Sequence, residues 1–164
     1  MLLFLARGSG SKQSLKDLCR WKIGLPSNFE KLVKQVELLE DYEASSQALM
    51  EIVHREPVTG AQLASNILLS KAGDIHLRAF AFSMLYRANK TRAFEYMLEN
   101  SSTCESVVFA AMLGEVAEDF GLLSDSRELQ RVVAHLRSTI RVRSDKDVEV
   151  VKRAIDGLLR IYGN

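Results

Sequence analysis

The chain has 164 residues, 47% of them hydrophobic, with 22 basic against 21 acidic side chains and only two cysteines. That size and balance fit one globular domain able to bury roughly 70% of its unfolded surface. They argue against bulk polyanion binding, a disordered tail or a disulfide framework.

Taken from the start, MLLFLARGSGSK places only Leu2, Leu3, Phe4 and Leu5 before Ala6 and Arg7. An export signal needs about 7 to 15 apolar residues behind a basic leader. Residues 1–12 are therefore expected to form a flexible segment, and residues 13–164 a single all-helical domain. No later run reaches the roughly 18 apolar residues of a membrane span, so no membrane association is expected. Cys19 and Cys104 stand in no metal-ligand spacing, and a reducing cytoplasm is the expected setting.

Helix punctuation recurs along the chain. Gly24-Leu25-Pro26 ends a short first helix. Ser27 with Glu30, Thr59 with Gln62 and Ser102 with Glu105 each set a hydroxyl three residues before an acid or amide. That is the capping box, in which the two side chains satisfy orphan backbone donors reciprocally. Asp125 with Glu128 and Ser144 with Asp147 are weaker forms of it. Pro57 reads as a stop, and Gly73 closes the helix begun at Thr59 before Asp74 caps the next. The helix after Ser27 carries Phe29, Leu32, Val33, Val36 and Leu39 as one stripe. Together these signals predict nine short helices near 13–22, 28–40, 43–55, 60–72, 75–88, 90–99, 103–120, 126–141 and 146–162. Short connections favour antiparallel neighbours, and no alternating strand pattern competes.

The segment GDIHLRAFAFSMLYRA, residues 73–88, is apolar almost all round. Projected at about 100° per residue, it leaves His76, Ser83 and Arg87 in one narrow polar wedge, with Arg78 isolated among apolar neighbours. Such a helix must be covered by others, which predicts a place in the middle of a stack.

A self-comparison gives one pattern. Asp74-Ile75-x-Leu77, with Ala81 at +7 and Leu85 at +11, recurs as Asp147-Val148-x-Val150, with Ala154 and Leu158 at the same offsets, 73 residues later. Arg78 supplies a basic residue in the first copy; Val151 holds the matching position in the second, and Lys152 comes one step late. This pattern resembles the inner helix of HEAT-like repeats over residues 59–162. The resemblance implies a right-handed α-solenoid; the alternative is an irregular helical bundle.

Catalytic constellations are sparse. His54, His76 and His135 form no HExxH or i, i+4 pair, and Gly8-Ser9-Gly10-Ser11-Lys12 lacks the spacing of a phosphate loop. Cys104 is placed in the first turn of a helix, where the dipole lowers a thiol pKa, although a structural cysteine is the simpler reading. No metal, cofactor or catalytic activity is expected.

Charge arrangement carries more. Residues 101–125 hold Glu105, Glu115, Glu118, Asp119 and Asp125 and no Lys or Arg. Glu115, Glu118 and Asp119 share an arc of about 100° near a helix C-terminus, where the macrodipole disfavours carboxylates. Either Arg127 or Arg131 of the next helix compensates them, or they dock a basic partner. Glu37, Glu40, Asp41 and Glu43 form a second acidic corner with the same two readings. On the helix after Ser126, Arg127, Arg131, Arg137 and Arg141 occupy an arc of about 120° opposite Leu129, Val132, Val133, Leu136 and Ile140. Residues 126–164 carry nine basic and five acidic side chains, and such a ridge grips an acidic partner or phosphates.

Helical solenoids present surfaces to partners and rarely catalyse. The expected function is therefore a non-catalytic protein-binding module, a monomer or weak dimer whose partner is another protein. Its resemblance among small HEAT-like proteins is to bacterial toxin-neutralising immunity proteins and adaptors. Nucleic-acid binding through the arginine ridge is the second expectation; the pI near 7.8 counts against it.

Overall fold

The computed structural model describes residues 27–39, 41–119 and 126–162. Among these residues the chain is all-α, with eight helices and no strand. They are α1 (Ser27–Leu38), α2 (Tyr42–Arg55), α3 (Pro57–Ser70), α4 (Ile75–Ala88), α5 (Lys90–Asn100), α6 (Ser106–Glu118), α7 (Arg127–Val142) and α8 (Glu149–Tyr162). The expected helix near 13–22, the segment 1–12 and Cys19 lie outside the described residues.

Where the signal is strictly local, the helices begin as the sequence indicates. Asp74 Oδ1 accepts from the Leu77 N–H at 2.8 Å to open α4, and Asn89 Oδ1 accepts from the Arg92 N–H at 3.1 Å to open α5. At the head of α7 Ser126 Oγ accepts from the Leu129 N–H at 3.3 Å, one position after the expected cap Asp125, which lies outside the described residues. Each pairing removes one orphan donor of a first turn.

Four boundaries differ. Pro57 opens α3 instead of ending α2, because its missing N–H falls where a helix start has no acceptor to offer. Thr59 is thus already inside the helix. At the other end, Lys71 in the left-handed region (φ 53°) closes α3, and the Ala72 N–H reaches back to the Ile67 carbonyl at 3.1 Å. The box at Ser102 is unused: residues 101–104 turn, Glu105 is the N-cap, and α6 starts at Ser106. Likewise residues 145–148 form a turn, and α8 starts at Glu149.

Packing follows the apolar stripes. Phe29, Val33 and Val36 of α1 are buried, as the spacing predicts. Gly60 of α3 lies against Val53 of α2 so closely that an added Cβ would stand 2.7 Å from the Val53 Cα. Only a missing side chain permits that approach. Leu77, Ala81, Phe82, Met84, Leu85 and Tyr86 of α4 are buried, and only His76 and Arg87 of this helix are exposed. The near absence of a wet side has a direct cause: α2, α3, α5 and α6 all pack on α4. Arg78, the polar exception, donates to the Gly73 and Lys71 carbonyls and pairs with Glu105 at 3.1 Å.

The even-numbered helices form a row in which α2 touches α4, α4 touches α6 and α6 touches α8, while α5 packs on α7. One apolar cluster runs through them from Phe29 to Leu158. In the two copies of the internal pattern, Leu85 and Leu158 are equally buried, at 1% and 0% exposure. The +3 position diverges: Leu77 is buried, whereas Val150 is 41% exposed and Val151 takes the inward place.

Candidate interaction surface

The two charged regions marked out in the sequence meet different fates in the fold. At the end of α6, Asp119 is only 7% exposed. Its Oδ2 accepts from the Tyr86 hydroxyl at 2.8 Å and from the Lys90 ammonium at 2.5 Å. The ammonium also sits 5.4 Å from the centre of the Tyr86 ring. Burial, and then the Asp119 carboxylate, hold the Tyr86 phenol far above its usual pKa, so it remains a donor. Glu115 is half-buried; burial raises its pKa, opposed by a hydrogen bond from Ser83 and by the charge of Arg87. Glu118 is the exposed member. Asp119 and Glu115 are thus compensated from α4 and α5, through Tyr86, Lys90, Ser83 and Arg87, and not from Arg127 or Arg131, while Glu118 stays in water.

The basic ridge stays outside. Arg127, Arg131 and Arg141 are exposed on α7, and among the described residues no carboxylate stands within ion-pair distance of them. Arg137 is half-buried and donates to the Tyr162 carbonyl at 2.9 Å, a cation on the last turn of α8, where the helix dipole favours it. The four arginines stand three and seven positions either side of exposed Ala134. At 1.5 Å per residue, Arg127 and Arg141 are about 21 Å apart along the helix. Beside Ala134 opens a cavity of about 190 Å³, lined by Leu129, Gln130, Val133, Ala134, Arg137 and Tyr162.

A further polar centre, invisible to the helix periodicity, lies where α7 ends. Arg143 donates to the carbonyls of Ser101 (2.6 Å) and Cys104 (2.9 Å) and forms a two-pronged pair with Asp145 at 2.7 and 2.6 Å. Its guanidinium lies 4.3 Å from the centre of the Phe109 ring, and the Ser106 hydroxyl donates to Asp145 at 2.5 Å. The hydrogen bonds from Arg143 hold the Asp145 carboxyl down at about 2. Ser101 Oγ meets His135 Nε2 at 2.9 Å and Thr139 Oγ1 at 3.3 Å, which ties the same turn to the middle of α7. Cys104 is buried before α6, not in its first turn, and burial pushes its thiol up to about 11 despite Arg143 beside it. The only local hint of this centre was the Arg143-Ser144-Asp145 spacing.

The remaining candidates are dispersed. Asp41 caps α2 by accepting from the Glu43 N–H at 3.0 Å, and Glu40 lies outside the described residues. His76 stands edge-on to Tyr42, with ring centres 6.4 Å apart. Among the described residues, no three His, Cys, Asp or Glu side chains are grouped to hold a metal, and no helix is long and apolar enough to cross a membrane. No family model matches the chain, and no curated protein or solved structure is significantly similar to it.

Proposed function

We propose that the chain is a non-catalytic protein-binding module of the cytoplasm, a monomer or weak dimer, whose docking face is the outer side of α7. The observation that carries this reading is the exposed arginine set Arg127, Arg131 and Arg141, left without carboxylate partners among the described residues while Asp119 at the end of α6 is paired from within. Desolvated, structurally engaged charges hold a fold together; exposed and unpaired ones steer an oppositely charged partner. The scaffold on this reading is a short HEAT-like right-handed solenoid. The row α2, α4, α6, α8, in which each member touches the next, supports it. A toxin-neutralising or adaptor role, which the repeat resemblance implies, then calls for an acidic partner surface.

Nucleic-acid binding is the second reading. Lys146, Lys152, Arg153 and Arg160 after α7 are also exposed, Arg153 in an i, i+4 pair with Glu149. A pull-down with the tagged protein from its native host, washed at moderate salt and treated with nuclease, separates the two. A stoichiometric protein that survives nuclease supports the binding module. Recovery of nucleic acid, with nothing left after nuclease, overturns it in favour of the second reading.

A further inference from the structure

We draw no further inference here: the strongest candidate, the partly exposed face of small and apolar residues that Val107, Ala111 and Gly114 of α6 and Val150, Ala154 and Gly157 of α8 present, with open space among the described residues in front of both glycines, carries nothing because no observed group marks a ligand there and nothing in the structure shows what covers it.

Discussion

The acidic end of α6 and the basic side of α7 look alike as sequence patterns, each a set of like charges on about a third of a helix. In the fold they are opposites. Asp119 is desolvated and answered by a phenol and an ammonium 33 and 29 positions earlier in the chain, whereas Arg127, Arg131 and Arg141 remain in water. A buried carboxylate must be paired because its desolvation costs several kcal/mol when left alone. An exposed guanidinium carries no such obligation, so its persistence is free to serve something other than stability. The lesson is that a charge cluster becomes a candidate interface only after its internal partners have been subtracted.

The sharpest way to break the comparison is to find a basic residue from this same region that behaves like Asp119, and Arg143 is one. It is 8% exposed and holds two backbone carbonyls as well as Asp145. Arg143→Ala should cost about 3 kcal/mol, a fall in Tm of about 6 to 12 °C by calorimetry. The loss should depend on pH with a definite sign. The hydrogen bonds from Arg143 hold the Asp145 carboxyl at about 2, below the ordinary 3.8 of an aspartate. The stabilisation by the pair is therefore fully present above about pH 4 and fades as pH falls through 2. A gap between wild type and variant that does not narrow across that window would mean that the carbonyl contacts, and not the ion pair, carry the cost.

Asp119→Ala comes next, at about 2 kcal/mol, because it strands the Tyr86 hydroxyl in a buried site. Adding Tyr86→Phe should recover part of that loss, since the unpaired donor goes with it. Additive losses in urea unfolding would show that the two groups are not coupled and would reopen Asp119 as a docking residue.

These two positions also show what the chain discloses in one dimension. Helix existence was readable nearly throughout, because a stripe such as Phe29, Val33 and Val36 and a cap such as Asp74 need only their own neighbours. The start of α3 was misread because Pro57 is written identically whether it ends one helix or opens the next. Ser102 lost its capping role to a turn whose carbonyls Arg143 holds from some 40 positions away. The ridge on α7 was legible as an arc of arginines, and its engagement was not: that Arg137 is anchored and Arg131 is not depends on where the end of α8 lies. The partners of Asp119 come from α4 and α5, and no local pattern points to them.

The finest discrimination is therefore among the ridge arginines themselves. Arg137→Ala removes a charge-assisted bond to the Tyr162 carbonyl and should cost about 1 kcal/mol. Arg127→Ala and Arg131→Ala, at exposed positions with no carboxylate partner among the described residues, should each stay within about 0.5 kcal/mol of wild type. In partner binding the ranking should invert: the double change Arg127→Glu with Arg131→Glu should weaken capture steeply at low salt and less at high salt, because exposed charges act through a screened field. If instead the two exposed arginines prove as costly to stability as Arg137, they are structural after all, and the difference between the two charged regions disappears.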